Sequence, residues 1–285
     1  MSYSLVFADA HSHVNPIYGI GPEKIARRFR DSGGWFIVLV CLPPWSYGLE
    51  PGRVEAYDKS FRLIVDAGAR YKQLGLEVAI HLGHHPSEVD YLARHGLKPL
   101  EIRDLGFRVV DLIAKYVMEG CVHGLGEFGR QHYSTKPENR EVAEDIARYA
   151  IQKAKDLDVS IHLHLDQSLD ALKFASEIAK EVDMNLSRVV IHHLSPELAK
   201  NAENLGLSYT IVGKIENLKM IANSSLKCLV ESDYLDDPKR PGAVIPPWSI
   251  PKAWRKLLAD GLCDVSYVQA INVDNIVALY KSQLW

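Results

Sequence analysis

Short apolar runs alternate along the chain with longer segments in which apolar residues recur every three or four positions. Nearly continuous short runs are typical of parallel strands covered on both faces, and the longer spacing is typical of amphipathic helices. The pattern predicts eight strands, at residues 5–8, 35–42, 77–82, 121–128, 159–164, 188–192, 207–212 and 227–233. Strands and helices in strict alternation imply right-handed crossovers and a parallel sheet.

Eight such units predict an α/β fold of the (β/α)8 (TIM) barrel type, with extra C-terminal helices after the eighth strand. An open doubly wound sheet is the alternative. No Gly-x-Gly-x-x-Gly follows the first strand, which weakens the dinucleotide-binding form of that alternative. A chain of 285 residues could hold two domains by length, but barrels of this size are routinely one domain and no linker interrupts the pattern. We therefore predict one barrel domain over residues 1–285.

Two irregular proline-rich segments, 43–53 and 236–251, each follow a predicted strand. In a barrel they would lie at the C-terminal ends of the strands, so we expect them to cover that rim as lids. They carry three large aromatic residues, Trp45, Tyr47 and Trp248. Such residues wall a substrate pocket in some loops and more often anchor local packing, and the sequence leaves both roles open.

Composition narrows the class of protein. Apolar residues make up 47% of the chain and charged residues 24%, which is ordinary for a soluble globular protein. No apolar run approaches ~20 residues, and no basic segment followed by an apolar stretch opens the chain, so neither a membrane span nor a signal peptide is indicated. We expect a cytoplasmic protein with no membrane partner. Its four cysteines show no Cys-x-x-Cys spacing and are expected to be reduced.

The charge balance gives little indication of a nucleic-acid partner. Thirty-three Lys and Arg residues stand against 36 Asp and Glu, for a formal net charge of −3. A strongly basic chain would point to nucleic acid by electrostatics alone, and this chain is not one. A local basic patch stays open.

Metal-binding residue types lie at the ends of five predicted strands. The C-terminal ends of barrel strands meet on one rim, where catalytic groups are expected, so residues far apart in sequence become neighbours. Four histidines and two carboxylates make six candidate ligands, His11, His13, Glu127, His162, His192 and Asp233. Six ligands are too many for one four-coordinate zinc ion but suit two ions bridged by a carboxylate and a hydroxide.

The ordered motifs resemble a known family. They are Asp-Ala-His-Ser-His at 9–13, Gly-His-His-Pro at 83–86, Gly-Glu-Phe-Gly at 126–129, the single histidines 162 and 192, and Glu-Ser-Asp at 231–233. Together they resemble the TatD-related deoxyribonucleases, metal-dependent hydrolases of the amidohydrolase-like barrels, over nearly the whole chain. Segments 129–133 and 236–242 look most like the archaeal-type branch of that family.

The resemblance implies a two-metal hydrolase that cleaves phosphodiester bonds in DNA with a metal-bridging hydroxide. It implies that His11, His13, Glu127 and Asp233 surround one ion, and that Glu127, His162 and His192 hold the other. The same ligand types suit zinc, manganese, nickel, iron and magnesium, so the identity of the two divalent ions stays open.

We expect two carboxylates to be catalytic. Glu127 would bridge the ions, and Asp233 would bind one ion and orient or deprotonate the attacking water. Four further side chains are expected at the substrate, with the planar guanidinium of one suited to a phosphate oxygen; they are His85, Arg130, His132 and His164.

Three more residues lie next to the predicted ligands in sequence. Asp9 and Glu231 are expected behind His11 and Asp233, where a carboxylate orients a ligand. His193 is expected on the opposite side of a regular strand from His192, as a structural histidine.

The chain departs from typical members of the family at two places. Members follow the glycine after the bridging glutamate with Leu-Asp, where this chain has Arg130 and Gln131. They also carry an arginine two positions after the strand-five histidine, where this chain has His164. Both positions are expected near the substrate, so the partner of the site is either DNA or a small molecule.

Three functions therefore stay open. The first is a phosphodiesterase acting on DNA, and the second is a hydrolase of a small phosphoester, amide or lactone. The third is a non-catalytic metal-binding barrel. The related phosphotriesterase-like lactonases usually bridge their metals with a carbamylated lysine on strand four, where this chain has Glu127 and no lysine. A carboxylate-bridged site is therefore favoured. The oligomeric state stays open.

Overall fold

Eight parallel strands form one barrel in the computed structural model, which describes residues 5–222, 227–240 and 244–284. Each strand pairs with the next one along the chain. The strands are β1 (Phe7–Ser12), β2 (Gly34–Val40), β3 (Glu77–Leu82), β4 (Gly124–Gly129), β5 (Ser160–His164), β6 (Val189–Ile191), β7 (Ser208–Val212) and β8 (Cys228–Glu231). The predicted (β/α)8 barrel is confirmed.

Helices connect the strands and continue beyond the last one. They are α1 (Pro22–Asp31), α2 (Val54–Gln73), α3 (Pro86–Arg94), α4 (Pro99–Met118), α5 (Pro137–Asp156), α6 (Leu169–Glu181), α7 (Ala199–Asn204), α8 (Ile215–Ile221), α9 (Ser249–Ala259), α10 (Val265–Gln269) and α11 (Asn275–Leu284). A π-helical turn, Ala270–Asp274, joins the last two. The predicted C-terminal helices are therefore present. Part of the predicted second lid, residues 241–243, lies outside the described residues.

The first strand differs most from its predicted bounds. It begins at Phe7 and continues through the polar segment to Ser12, four residues beyond the end that the apolar run indicated. Asp9 and His11 are fully buried, because they belong to the barrel and not to a solvated loop. An apolar run therefore identifies where this strand lies but underestimates its length wherever the strand carries functional polar residues.

Backbone hydrogen bonds near their C-terminal ends join the first and last strands. The Asp233 amide donates to the carbonyl of His11 at 2.9 Å, and the His13 amide donates to the carbonyl of Tyr234 at 2.8 Å. These bonds bring the candidate ligands of β1 and β8 side by side.

Apolar side chains and α11 fill one end of the barrel interior. Ile276 and Tyr280 of α11 pack on apolar residues from four strands, Ala8, Ala10, Phe36, Val38, Val40, Ala79 and Leu229. Burying a side chain such as Ile276 completely contributes roughly 1.5–3 kcal/mol. The C-terminal helix is therefore part of the barrel core. None of the helices in the described part of the chain combines the length and the apolar character that a membrane span needs.

Candidate metal centre

The Glu127 carboxylate lies at the centre of a cluster of four histidines, His11, His13, His164 and His192. Its Oε1 atom is 3.3 Å from Nε2 of His11 and 3.3 Å from Nε2 of His13. Its Oε2 atom is 3.0 Å from Nδ1 of His164 and 2.9 Å from Nε2 of His192. One oxygen therefore faces each pair of imidazoles, which is the arrangement of a carboxylate that can bridge two cations.

Glycine on the neighbouring strand end lets Glu127 occupy this position. A Cβ atom on Gly83, just past β3, would lie 2.2 Å from the backbone nitrogen of Glu127. Real Cβ contacts are never this short, so a side chain here would displace the Glu127 backbone. The glycine of the Gly-His-His-Pro motif thus serves the close approach of β3 to β4.

The two β1 histidines are oriented through the nitrogens that face away from Glu127. His13 Nδ1 donates to the carbonyl oxygen of Val40 at 2.9 Å. His11 Nδ1 lies 2.9 Å from Nδ1 of His162. Ligating histidines typically use the second nitrogen in this way, which fixes the ring and its tautomer. The Nε2 atoms of His11 and His13 are therefore the ones available to a cation.

The histidine of β5 and the one just after β6 also turn one ring nitrogen toward Glu127. His164 Nε2 is 2.6 Å from Nδ1 of His132, so Nδ1 of His164 is the atom that faces Glu127. His192 Nδ1 is 3.9 Å from Oε2 of Glu231, and its Nε2 faces the centre. His164 Nδ1 and His192 Nε2 are only 2.8 Å apart. These two nitrogens and Glu127 Oε2 form a compact set of donors.

Two further residues, Asp233 and His193, place possible metal-ligand atoms beside these histidines. Asp233 has Oδ1 3.6 Å from Nε2 of His13, and its ligand atom groups with those of His11 and His192 within 4.8 Å. His193 groups in the same way with His164 and His192. Each carboxylate oxygen of Glu127 therefore faces two imidazole nitrogens, and Asp233 and His193 offer further possible ligand atoms to a cation.

The charge state of Glu127 follows from these neighbours. Burial alone would raise the pKa of Glu127, but His192, His85, His11 and His13 outweigh it and hold the pKa well below its usual range. A buried carboxylate that stays ionised is a strong cation ligand.

The pKa of His13 is raised, whereas burial lowers the pKa of a typical buried histidine. Burial alone would lower the pKa of His13, but hydrogen bonds to Asp233 and Glu127 raise it to about 10. A cation that binds Nε2 of His13 must therefore displace a proton.

His85 is placed as a hydrogen-bond donor. Its Nδ1 atom accepts from the Ser87 amide at 3.1 Å and so caps the N-terminus of α3. Because Nδ1 accepts, a neutral His85 carries its hydrogen on Nε2, which points toward Glu127 Oε2 at 3.5 Å. Burial, and then the charge of His164, lower the pKa of His85 well below its usual value, which favours that neutral form. The ligand atom of His85 also lies within 4.8 Å of those of Glu127 and His164, so the predicted contact of His85 with a substrate stays a prediction.

The structure places His162 away from the predicted ligand position. Both of its nitrogens are occupied, Nδ1 by His11 and Nε2 by the hydroxyl of Tyr280 at 2.8 Å. The ring is fully buried, and among the described residues it joins none of the candidate ligand groups. We therefore correct the predicted ligand of β5 from His162 to His164. Both point to the barrel interior, but His164 lies two residues nearer the rim.

Arg130 also lies elsewhere than predicted. Its guanidinium pairs with Glu144 at 2.7 Å and with Asp170 at 2.9 Å, and it stacks on Phe174 at 4.0 Å. These partners belong to α5 and α6, and Arg130 does not line the cavity at the cluster. The prediction that Arg130 contacts a phosphate is replaced by a role in joining β4 to two outer helices.

Two buried carboxyl groups adjoin the candidate ligands in sequence, and their hydrogen bonds go to the barrel wall. Asp9 accepts from the amide and hydroxyl of Ser232 at 2.8 and 2.6 Å, and burial raises the pKa of Asp9 to about 7. Glu231 accepts from the Thr210 hydroxyl at 2.6 Å. Burial, and then Asp233, raise the pKa of Glu231 well above its usual value. Among the hydrogen bonds of the described residues, neither carboxyl group accepts from an imidazole, so the predicted orienting role of Asp9 and Glu231 stays a prediction.

His193 is a site residue that sequence periodicity missed. Its backbone φ is 44°, which breaks the alternation of strand side chains. The ring therefore lies 4.1 Å from that of His192 and 4.7 Å from that of His164, between ring centroids. The period-two rule assigned it to the opposite side. No local sequence signal reveals the positive φ.

A cavity of about 380 Å³ opens on the cluster. Trp45 of the first predicted lid lines it, whereas Tyr47 is buried with its hydroxyl on the Leu42 amide, and Trp248 packs near Arg28. The lining residues are His13, Leu42, Pro43, Trp45, Ser46, His85, Ser87, Glu127, His132, His164, His192, His193, Asp233, Leu235 and Arg240. One end of the cavity is thus polar and bears the cluster, and the other is largely apolar.

A second cavity of about 510 Å³ adjoins the first. The two share part of their lining, including Trp45 and Arg240. Tyr18, Asn15 and Lys239 line only the second one. Together the cavities extend from the ligand cluster to the segment between β1 and α1.

An eight-stranded barrel whose strand ends carry clustered histidines and carboxylates is the architecture of the amidohydrolase-like hydrolases. The chain belongs to the TatD related DNase family, whose family model matches residues 8–281. It is 30% identical over 286 residues to the uncharacterized protein MJ1127 of Methanocaldococcus jannaschii, with 99% of this chain and 98% of that protein covered. The family resemblance stated from the motifs is confirmed.

Solved structures show the same fold at low identity. The TatD-like protein from Archaeoglobus fulgidus has a TM-score of 0.64 at 16% identity, with 96% of this chain and 100% of that chain covered. The lactonase Lmo2620 from Listeria monocytogenes has a TM-score of 0.65 at 17% identity, with 97% and 94% covered. At these identities the likeness is one of fold alone.

Proposed function

We propose that the protein is a divalent-metal-dependent hydrolase of phosphoester bonds that uses two ions, with the end of a DNA strand as its first candidate substrate. The main observation behind the proposal is that the two carboxylate oxygens of Glu127 face different pairs of histidines. Oε1 faces His11 and His13, and Oε2 faces His164 and His192. Asp233 would complete the first set of ligands. Divalent ions held there would polarise the phosphoryl group and make water a better nucleophile.

The remaining side chains can handle protons at the reacting atoms. Asp233 lies at the cavity wall, where its carboxylate can orient the attacking water and accept its proton. His85 Nε2–H points into the same cavity and can donate to a phosphate oxygen or to the leaving oxygen. An acceptor and a donor thus line one space, as hydrolysis requires.

The shape of the site favours a strand end over the interior of a duplex. A cavity of about 380 Å³ is within the range of small-molecule pockets, and the adjoining cavity adds aromatic walls from Trp45 and Tyr18. Bases stack on aromatic side chains in sites for single strands. A terminal nucleotide could therefore enter the first cavity while the next base lies in the second.

One observation favours a second candidate, a hydrolase of a small phosphoester or lactone. Of the described residues that line the cluster cavity, Arg240 is the only lysine or arginine, and it is paired with Asp237 at 3.0 Å. Arg130 is held by helix carboxylates. A protein that grips a DNA backbone needs several free cations beside the scissile bond. A neutral or singly charged substrate does not.

An activity screen with a salt series separates the two candidates. The metal-stripped protein is reloaded with zinc, manganese, nickel, iron or magnesium and assayed on end-labelled oligonucleotides, bis(p-nitrophenyl) phosphate and γ-lactones. A nuclease should release terminal nucleotides, with a KM that rises steeply with salt. A small-molecule enzyme should turn over the ester or the lactone with little salt dependence. If no metal form turns over any of these substrates, the proposal is overturned, and a non-catalytic metal-binding barrel is the remaining function.

Glu127→Gln tests whether the Glu127 carboxylate bridges two ions, because glutamine keeps the shape of the side chain but removes its negative charge. We expect both activity and binding of two ions to be lost. Glu203→Gln is the matched control, since Glu203 also accepts a side-chain hydrogen bond, from Tyr209, but lies on α7 away from the cluster. If Glu127→Gln retains two ions and wild-type turnover, the proposed centre is wrong.

A further inference from the structure

A chain of buried hydrogen bonds connects the C-terminal helix to the candidate metal centre. The Tyr280 hydroxyl of α11 lies 2.8 Å from Nε2 of His162, and Nδ1 of His162 lies 2.9 Å from Nδ1 of His11. All three residues have no solvent exposure. Tyr280 and His162 do not line the cavity at the cluster, so they touch neither substrate nor the candidate cation positions.

From this juxtaposition we infer that His162 and Tyr280 are positioning residues that hold the His11 imidazole with its Nε2 atom toward Glu127. The inference rests on the proposed function, because it concerns the ion that His11 would bind. It assigns a role to the C-terminal helix and to the histidine that the motifs had marked as a ligand.

The required positions of the hydrogens follow from the geometry. Only one hydrogen fits between two nitrogens 2.9 Å apart. A cation at Nε2 of His11 needs a lone pair there, so the hydrogen of a neutral His11 lies on Nδ1 and is donated to His162 Nδ1. His162 then carries its own hydrogen on Nε2 and donates it to the Tyr280 oxygen. In the reverse arrangement His11 would carry N–H on Nε2, toward Glu127, and could not bind the ion.

Packing holds the members of the chain in place. The ring of His81 meets that of His162 edge to face, with 4.4 Å between centroids. The Tyr280 ring lies 5.2 Å from that of Phe36, within the apolar layer that closes the barrel. On β4, a Cβ atom added to Gly126 would come within 2.8 Å of the His162 Cβ. His162 therefore has little freedom to turn, and the orientation of His11 is established when the barrel folds.

The test measures metal affinity and not only activity. Metal-stripped wild type, Tyr280→Phe and His162→Leu are titrated with zinc against a competing chromophoric chelator. Loss of a residue that orients a ligand typically weakens metal binding by about 10–100-fold. We expect a loss in this range for one bound ion in both variants, with the larger effect in His162→Leu. Tyr267→Phe is the matched control, because it removes a buried hydroxyl bonded to the Ile221 carbonyl at 2.6 Å, away from the site.

A conservative variant separates positioning from packing. The Oδ1 atom of an asparagine lies close to the place of Nδ1 in histidine, so His162→Asn can still accept from His11 Nδ1–H. We expect His162→Asn to restore most of the affinity that His162→Leu loses. Adding Tyr280→Phe to His162→Asn should then cause no further loss, because the asparagine no longer reaches Tyr280. This double-mutant cycle measures the coupling directly.

The outcomes distinguish this inference from the proposed function. If wild type binds two ions and turns over substrate, but Tyr280→Phe and His162→Leu keep wild-type affinity, the inference is wrong and the proposed function stands. If wild type binds no divalent ion, the proposed function fails and the inference fails with it. Should His162→Leu not fold, Tyr280→Phe decides, together with the unfolding midpoint of its metal-free form. A lower midpoint with unchanged affinity would show a packing role alone and overturn the inference.

Discussion

Nδ1 of His132 lies 2.6 Å from Nε2 of His164, and the opposite nitrogen of the His164 ring faces Glu127. This pair defines which atom of His164 is available to a cation. Because β5 carries two inward histidines, the pair also distinguishes the ligand candidate from its neighbour His162. His164 shares the rim cavity with Glu127 and His192, whereas His162 is enclosed below them.

Replacement of His164 should therefore remove one of the two proposed ions. We expect His164→Leu, which leaves no ligand atom at this position, to reduce the bound metal from about two ions to about one per chain and to abolish turnover. Mass spectrometry of the dialysed protein measures the metal content. His95→Leu is the matched control, because His95 is exposed at the end of α3 and stacks on Tyr91. Two tightly bound ions in His164→Leu would contradict the assignment.

Arg130 should matter for stability more than for substrate. Replacing it with methionine removes a charge-assisted hydrogen bond to Asp170, which contributes about 1.5–3 kcal/mol at best, and an ion pair with Glu144. Because Asp170 is mostly exposed and Glu144 partly so, we expect the free energy of unfolding to fall by about 1–3 kcal/mol in total. Chemical denaturation measures this, and KM for the preferred substrate should stay within a factor of about two. A tenfold rise in KM with unchanged stability would restore the predicted phosphate contact.

The strands and the rim could be predicted because their signals are local. Apolar runs mark the strands, and the ends of parallel strands meet on one side, so the grouping of His11, His13, Glu127, His192 and Asp233 follows from topology alone. These residues do converge in the structure.

The sequence could not predict in the same way that His164, and not His162, would lie at the candidate ligand position. Both lie on one face of β5, so the period-two rule treats them alike, and they differ only by about 6.6 Å of depth along the strand. The position of Arg130 depends on carboxylates of α5 and α6 that compete with the cavity for its guanidinium. The orientation of His193 depends on one positive φ angle. Each of these is a tertiary or backbone effect without a sequence period.

The metal-free protein should lose stability as the pH falls from 6.5 to 5. Burial is the first cause that lowers the pKa of nine histidines below the usual value in the fold, namely His11, His81, His84, His85, His123, His132, His162, His192 and His193. In the unfolded chain these groups take up protons near pH 6.5. The unfolded state therefore binds more protons in this window, and the free energy of unfolding falls with pH.

Fewer groups have a pKa that is raised in the fold. Burial raises the pKa of Asp9 to about 7 and that of Glu88 to about 8, and it also raises the pKa values of Glu231 and Asp236. Burial alone would lower the pKa of His13, but hydrogen bonds to Asp233 and Glu127 raise it to about 10. Each of these five groups favours a bound proton in the fold, and five do not outweigh nine over this window. Denaturant titrations at half-unit pH steps should show a falling midpoint, and a midpoint that rises toward pH 5 would contradict the assignment of neutral histidines.

His85 should affect turnover without affecting metal binding. His85→Asn keeps a side-chain acceptor for the Ser87 amide, because asparagine is a favoured N-cap residue, so α3 should begin as before. The variant loses Nε2–H, the donor that points toward Glu127 and the cavity. Removing one donor that stabilises developing charge typically lowers kcat by about 10²-fold or more, and we expect a loss of that size with the metal content unchanged. Loss of one ion from His85→Asn would show instead that His85 is a ligand, and an unchanged kcat would show that its hydrogen does not reach the reacting atoms.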